Sequence, residues 1–206
     1  MIPLIIDFSG KKVVIFGGGE VAARKAEYFR DCDLVVISRS FSERLEAIPG
    51  GRHQMDLGKM TEEAIRTFIK GAFLVIAATS DQSINNHIGY QCRQEGVLFN
   101  NAAGDPGDVI LPAILKGKNF LVAVETYGRS PAFSRYLRSQ LESSRDSFDR
   151  MIEIQERLRN ALKQSAWSQE ERRSILRKVV SDPSIWNALR DDPSAAWTLV
   201  EKRYLV

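Results

Sequence analysis

Short apolar runs alternate with helical patterns through the first half of the chain. The run Lys12–Phe16 is apolar at every position after its first, as expected of a strand that is covered on both faces. Similar runs recur at Leu34–Ile37, Phe73–Ala77 and Val97–Phe99. Because helical segments separate these runs, the pattern predicts a doubly wound parallel sheet, in which ligands bind beyond the carboxyl ends of the strands.

The segments between the runs carry helical spacing. Apolar residues recur about one helical turn apart from Ala22 to Phe29 and again from Ile84 to Cys92. Between them, Thr61–Lys70 opens with a good N-cap residue followed by two glutamates, and a glycine follows its end. These segments predict helices that cover the sheet.

The pattern changes after about Ser130. Phe120–Val124 is typical of one more strand, and Pro131 fits the first turn of a helix. Beyond Ser144 only helical patterns remain, and the first of them has a stripe at helical spacing formed by Phe148, Met151, Gln155, Leu158 and Leu162. Later helix starts are indicated by a capping box at Ser168–Glu171 and by Asp-Pro-Ser sequences at 182–184 and 192–194.

A glycine-rich turn follows the first strand directly. Residues 17–22 have the form GxGxxA and open a helix, which is the arrangement of a dinucleotide-binding Rossmann turn. Gly17 permits the tight turn, and Gly19 lets a pyrophosphate approach the backbone. A glycine turn kept only for packing is the alternative interpretation. The residues predicted to bind the cofactor in this turn are Gly17, Gly18, Gly19, Glu20 and Val21.

Together the patterns predict an α/β fold in three parts. Residues 1–112 form a Rossmann-type dinucleotide-binding domain with a doubly wound parallel sheet, and residues 113–145 link it to the rest of the chain. Residues 146–206 form a small all-helical C-terminal domain. Its apolar stripes could be buried against a second subunit as readily as against their own chain.

The end of the second strand leaves the choice between NAD and NADP open. A carboxylate about 20 residues after the glycine turn would favour NAD, whereas the residues here are Ser38, Arg39 and Ser40. Arg39 could accept the 2′-phosphate of NADP. The two serine hydroxyls could equally bind the ribose of NAD.

Two further loops are expected at the ligand-binding edge of the sheet. Ala78 and Thr79 follow the strand that ends at Ala77, and Asn101 lies in the loop that follows Val97–Phe99; all three are predicted to contact the cofactor. Asp105 in the same loop could accept or orient a proton, although residues 105–108 also have the composition of a simple turn.

Composition and charge narrow the function further. A net charge of +3 is too small to favour nucleic acid as the main partner, and no apolar run approaches the roughly 18 residues of a membrane span. The N-terminal residues lack the basic region of a signal peptide, so the protein is expected to be cytoplasmic. Cys32 and Cys92 are expected to be free thiols. His53 and His87 have no neighbouring ligand set, so no metal site is expected.

Several longer strings carry a more specific signal. They are PLIIDFSGKKVVIFGGGEVAARKA, LVIAATSDQSINNHI, FNNAAGDPGDVILPAILKGKNFLVAV and GRSPAFSRYLRSQLE. With them the chain resembles, almost from end to end, the precorrin-2 dehydrogenase family, which includes bifunctional dehydrogenase–ferrochelatases of siroheme synthesis. The resemblance implies NAD-dependent removal of two hydrogens from precorrin-2, an acidic tetrapyrrole, giving sirohydrochlorin. It also implies a homodimer, in which residues 113–145 are the dimerisation or linking segment. It favours NAD over NADP, so that residues 1–112 are the NAD-binding domain.

The resemblance suggests where the substrate binds. Thr126 stands where the family has a serine shortly before its Gly-x-Ser-Pro motif, and Ser130 is the serine of that motif. Arg129 and Arg135 lie beside it, where they would suit the carboxylates of a tetrapyrrole, although such arginines are usually a solvated face. These four residues are the predicted substrate-binding set.

One position departs from the family pattern. The family often has an aspartate after Asn-x-x, implicated in dehydrogenation and in iron insertion, and the matching position here is Gly104. Asp105 follows one residue later and is the predicted catalytic carboxylate. The departure leaves ferrochelatase activity open.

Two other functions remain as alternatives. One is a non-catalytic, dimeric regulatory protein that senses NAD(H). The other is an NADP-linked oxidoreductase with a different anionic substrate, a hypothesis supported chiefly by Arg39.

Overall fold

The computed structural model describes residues 2–205 of the chain. These residues fold into two compact units, and the division falls between Leu111 and Pro112. Each unit has its own hydrophobic core. No helix in residues 2–205 combines the length and the apolar character that a membrane span requires.

The first unit is built on a parallel sheet of five strands in the order β3-β2-β1-β4-β5. The strands are β1 (Lys12–Phe16), β2 (Asp33–Ser38), β3 (Gly51–Gln54), β4 (Leu74–Ala77) and β5 (Leu98–Asn101). This order, with the chain starting in the middle and crossing to both sides, confirms the predicted doubly wound Rossmann-type sheet.

The helices predicted for this unit are present. They are α1 (Glu20–Ala26), α2 (Glu43–Glu46), α3 (Glu62–Ile69) and α4 (Gln82–Gln94), with short 3-10 turns at Glu27–Phe29 and Leu57–Lys59. Thr61 caps α3 as expected, since its hydroxyl accepts a hydrogen bond from the Ala64 amide at 3.2 Å. The short helix α2 was not predicted.

Alternate residues of β1 supply the cores on the two faces of the sheet. Val13 and Ile15 pack on the face that α1 covers, whereas Val14 and Phe16 pack on the face that α3 and α4 cover. All four side chains are fully buried, which explains why the strand is apolar at every position after its first.

Strand β3 is absent from the sequence prediction. Its residues, Gly-Arg-His-Gln, are polar and mostly exposed, so they show no apolar run. The strand forms because it pairs in parallel with β2, from Val35 opposite Gly51 to Ser38 opposite Gln54. It lies at the edge of the sheet, where a polar strand is tolerated.

The second unit begins with an antiparallel pair, β6 (Ala113–Lys116) and β7 (Leu121–Val124). The predicted strand at Phe120–Val124 is thus confirmed, and β6 is a partner that its sequence did not reveal. Five helices follow: α5 (Pro131–Glu142), α6 (Arg145–Lys163), α7 (Gln169–Ser181), α8 (Pro183–Asp191) and α9 (Pro193–Tyr204). The separate dimerisation segment and C-terminal domain stay predictions.

Helices α6 to α9 enclose one core. The predicted stripe on α6 is buried at Met151, Leu158 and Leu162, and Ile154 completes it. Gln155 lies beside this stripe and donates a hydrogen bond to the Leu176 carbonyl at 3.1 Å. The predicted capping box at Ser168 and Glu171 is present.

The Asp182 carboxylate accepts several hydrogen bonds that stabilise the helices around this core. They come from the Ser184 amide at 2.9 Å and hydroxyl, and from Arg203 and Tyr204 at 3.0 Å each. Chiefly because of the Ser184 hydroxyl, the pKa of Asp182 is lowered from 3.8 to about 2.

We therefore expect Asp182→Ala to lower the free energy of unfolding by about 1–2 kcal/mol at neutral pH, as for loss of a helix N-cap. A carboxyl group whose pKa is lower in the folded state stabilises above its unfolded pKa of 3.8, and that stability is lost as the pH falls through about 2. The difference from the unsubstituted protein in urea unfolding should therefore shrink over that range. Asp182→Asn, which keeps an N-cap side chain, is the control. An equal loss in both variants would contradict the capping role.

Candidate functional site

A cleft lies beyond the carboxyl ends of β1 to β4. Its cavity volume is about 820 Å³, within the usual range for small-molecule sites. Ten of the eleven residues predicted to bind the cofactor line it: Gly17, Gly18, Gly19, Glu20, Val21, Ser38, Arg39, Ser40, Ala78 and Thr79. The cleft is also lined by residues that the sequence did not single out: Phe41, Ser42, Asp56, Leu57, Gly58, Ser80, Asp81 and Ile84.

The first two glycines of the turn are required by close packing. Gly17 has φ +122°, and its amide donates a hydrogen bond to the Ile37 carbonyl at 2.9 Å. A Cβ on Gly17 would overlap the carbonyl oxygen of Ala78, and one on Gly18 would overlap that of Ser40. These two glycines bring the ends of β1, β2 and β4 together.

The third glycine differs from the first two. A Cβ built on Gly19 would meet no atom within 4 Å, because this position faces the open cleft at the start of α1. The space in front of Gly19 is what a dinucleotide pyrophosphate needs to reach the backbone. The residues present therefore fit a dinucleotide, with the glycine turn as the segment that would hold its phosphates.

The loop after β4 is held by Asn85, a fully buried residue of α4. Its side-chain oxygen accepts hydrogen bonds from the Thr79 amide at 3.1 Å and from the Thr79 hydroxyl at 2.7 Å. Its side-chain nitrogen donates to the carbonyls of Thr79 at 3.2 Å and Ala103 at 3.0 Å. Asn85 thus joins the loop after β4 to the loop after β5.

Asn86 organises the loop that contains Asp105. Its side-chain oxygen accepts hydrogen bonds from the Asp105 amide at 2.9 Å and from the Asn101 side chain at 3.1 Å. The same Asn101 nitrogen donates to the Asp105 carbonyl at 2.8 Å. Asp105 itself is exposed at the tip of this loop, so its carboxylate is free to meet a ligand.

Asn101 does not line the main cleft. It lines a small cavity of about 20 Å³ together with Asn86 and Asp105. Cofactor binding by Asn101 stays a prediction, while the hydrogen bonds give its side chain a part in holding the loop of Asp105.

Lys25 ties the glycine-turn helix to the end of β5. Its ammonium donates a hydrogen bond to the Asn100 side-chain oxygen at 2.8 Å, and the Asn100 nitrogen donates to the Val109 carbonyl at 2.7 Å. Burial of the ammonium lowers the pKa of Lys25 to about 8. Asn100 thus links α1 to Val109, in the segment that follows the Asp105 loop.

The four residues predicted to bind the substrate belong to the second unit. The Thr126 hydroxyl accepts a hydrogen bond from the Ser130 amide at 3.1 Å, and the Ser130 hydroxyl caps α5 by accepting from the Phe133 amide at 3.3 Å. The structure therefore brings Thr126 and Ser130 together in one turn. Arg129 and Arg135 are exposed on either side of the start of α5.

The two cysteines are free thiols, as expected. Burial raises the pKa of the Cys92 thiol to about 12, which makes it a poor nucleophile. Within residues 2–205 no group of three or more histidine, cysteine or acidic side chains is arranged to hold a metal ion.

The position that departs from the family pattern, Gly104, is sterically restricted. Gly104 has φ +126°, and a Cβ there would overlap the side-chain oxygen of Asn86. We expect Gly104→Asp to destabilise the loop by about 1–3 kcal/mol, the cost of a residue held in an unfavourable backbone region. Thermal unfolding measures the effect.

The control for this prediction is a glycine that has a positive φ but no overlap. Gly71 has φ +72°, and a Cβ there would meet no atom within 4 Å. Gly71→Asp therefore has the backbone strain alone and should lower the melting temperature by less than Gly104→Asp does. An unchanged melting temperature in Gly104→Asp would show that the loop can rearrange freely.

Known proteins resemble both the first unit and the whole chain. A family model described as putative NAD(P)-binding matches residues 4–113. A precorrin-2 dehydrogenase of Methanosarcina barkeri is 36% identical over 211 residues, covering 100% of this chain and 92% of that protein. A siroheme synthase of Nitrosococcus oceani is 33% identical over 187 residues, but this chain covers only 38% of its length.

A solved structure has the same fold as this chain. The structure titled SirC, precorrin-2 dehydrogenase, matches 98% of this chain and 100% of its own with a TM-score of 0.70. At 19% identity this likeness shows a shared fold. The family model identifies the first unit, which holds the cleft, as an NAD(P)-binding domain.

Proposed function

The chain belongs to the precorrin-2 dehydrogenase family, and we propose that it catalyses the NAD-dependent oxidation of precorrin-2 to sirohydrochlorin. The observation that carries this proposal is the cleft of about 820 Å³, with Gly19 open to it, in a chain 36% identical over its whole length to a precorrin-2 dehydrogenase. The name of the relative indicates the substrate, and the cleft has room for the dinucleotide.

The oxidation removes a hydride and a proton from the tetrapyrrole. NAD, when bound, supplies the hydride acceptor. The protein must orient the reacting carbon and remove the proton, and Asp105 is the group we assign to the proton because its exposed carboxylate stands on a loop held by Asn86 and Asn101. Positioning supplies much of the rate in hydride transfer.

The fixed loops support this assignment. Asn85 joins the cofactor-side residue Thr79 to Ala103 of the Asp105 loop, at hydrogen-bond distances of 2.7–3.2 Å. A buried amide with all these bonds satisfied holds the two loops in one arrangement. One side chain therefore holds Thr79, which would contact the cofactor, close to the start of the loop that carries Asp105.

The second unit offers groups for an acidic substrate. We propose that Arg129 and Arg135 pair with carboxylates of the tetrapyrrole, as exposed guanidinium groups can do in a bidentate manner. Thr126 and Ser130 would contribute hydroxyl groups from the turn between them.

We also propose that the protein is a cytoplasmic homodimer. The start of α5 carries Phe133 and Tyr136, which are 51% and 55% exposed and stack at 6.2 Å, and Tyr127 is 72% exposed nearby in sequence. Exposed aromatic side chains in such a group favour contact with another protein surface. Sedimentation measurements would test the dimer.

The test of the function uses purified protein, precorrin-2 and NAD. Absorbance should report sirohydrochlorin and reduced nicotinamide forming in equal amounts. Absence of turnover with both NAD and NADP would overturn the proposal, and turnover with NADP alone would overturn the choice of cofactor. Ferrous or cobaltous ion added to sirohydrochlorin tests chelation separately.

A further inference from the structure

The adenosine end of the cleft carries a charged residue that the sequence did not indicate. The strand that should supply an acidic ribose ligand, β2, ends in Ser38, Arg39 and Ser40, with no carboxylate. Asp56, which follows β3, lines the same cleft. The cleft therefore has one positive side chain, Arg39, which would attract a 2′-phosphate, and one negative side chain, Asp56, which would repel it.

The pairing of β2 with β3 explains how Asp56 reaches this place. Ser38 is opposite Gln54 in the parallel register, and the Met55 amide donates a hydrogen bond to the Ser38 carbonyl at 2.9 Å. The Gln54 side chain donates to the Arg39 carbonyl at 3.1 Å. The segments after the two strands therefore begin side by side, which brings Asp56 to the same cleft as Ser38 and Arg39.

The Asp56 carboxylate is anchored but retains an accepting oxygen. One oxygen accepts a hydrogen bond from the Gly58 amide at 3.1 Å, which fixes the side chain. The other lies 4.0 Å from the ammonium of Lys59, whose side chain is 84% exposed. An ion pair this exposed is weak in water, so the second oxygen remains available to a ligand.

Arg39 is less constrained than Asp56. The backbone of Arg39 is held by Gln54, but its long side chain is exposed and can move out of the cleft. A short anchored carboxylate acts on a ligand at a fixed place, whereas a mobile guanidinium loses conformational freedom on pairing. The fixed charge should therefore decide which dinucleotide is preferred.

We propose that Asp56 is the residue that selects NAD over NADP, accepting a hydrogen bond from the adenosine ribose and repelling a 2′-phosphate. The inference rests on the proposed function only in taking NAD as the cofactor. It assigns to the end of β3 a task that Rossmann-type domains usually give to the end of β2.

Calorimetric titration of NAD and NADP into the full chain, without tetrapyrrole, tests this assignment. Asp56→Asn should lower the ratio of the NADP dissociation constant to the NAD dissociation constant at least about tenfold, because the like-charge repulsion is removed. The asparagine oxygen can still accept from the Gly58 amide, so the loop should persist. Asp33→Asn, at the opposite end of β2, is the matched control and should leave the ratio unchanged.

Two further measurements keep the outcome clear. Asp56→Ser also retains an oxygen for the Gly58 amide, and it should shift the ratio in the same direction if Asp56→Asn folds poorly. Arg39→Gln should leave the preference for NAD in place. An unchanged ratio in both Asp56 variants, or tighter binding of NADP than of NAD by the unsubstituted protein, would overturn the proposal. Binding of NAD that depends on Asp56 without oxidation of precorrin-2 would overturn the proposed function alone.

Discussion

Replacing Gly19 with aspartate should abolish NAD binding while leaving the fold intact. Gly19 is the N-cap of α1, its backbone is extended (φ −85°, ψ −171°), and a Cβ there meets no atom within 4 Å. Aspartate is a favoured N-cap residue, so the helix should be as stable as before or slightly more so. The new carboxylate would lie where the pyrophosphate approaches the backbone. Repulsion between these negative groups should raise the NAD dissociation constant about 100-fold or more.

Titration of NAD and thermal unfolding together measure this effect. Gly51→Asp introduces the same side chain at a glycine of the edge strand β3, where its Cβ would have ordinary contacts and no cleft nearby, so NAD binding should persist. Gly18→Ala provides the opposite comparison, because its Cβ would overlap the Ser40 carbonyl and should lower the melting temperature. Undiminished NAD affinity in Gly19→Asp would mean that the pyrophosphate lies elsewhere.

Asp105→Asn should reduce the turnover number for precorrin-2 by about 100-fold or more, the usual contribution of a positioned acid or base. Affinity for NAD should not change, because Asp105 does not line the main cleft. The backbone amide at this position would still donate to Asn86, so the loop should keep its shape. Steady-state kinetics and NAD titration separate the two effects.

The control for this variant is Asp31→Asn, which changes an exposed carboxylate outside the cleft. Its kinetics should match those of the unsubstituted protein. Full turnover in Asp105→Asn would instead show that solvent or another group receives the proton. In that case the loop around Gly104 would have a structural role only.

The strands and the glycine turn were predictable because both are encoded locally. A buried parallel strand requires an unbroken apolar run, as in Lys12–Phe16, and only glycine tolerates φ +122° at Gly17 with a carbonyl so close. Helix starts at Thr61, Ser168 and Asp182 were equally visible, since an N-cap bonds within its own turn.

The residues that hold the site together were much harder to find. Asn85 and Asn86 are ordinary polar residues of a helix by sequence, and their partners are Thr79, Ala103 and Asp105, up to 19 positions away. A signal was present at Asn85, which follows Ile84 directly and falls on the buried side of α4. A polar side chain buried in that way needs partners, but the sequence does not say which.

By itself the sequence determined the alternation of strands and helices, the glycine turn and the helical second half, because periodicity and backbone requirements act over a few neighbouring residues. Only the tertiary structure decided that polar Gly51–Gln54 forms the edge strand and that Asp56 lines the same cleft as Ser38 and Arg39. Strand pairing brings residues that are distant in the sequence side by side. Only then can their charges act together on one ligand.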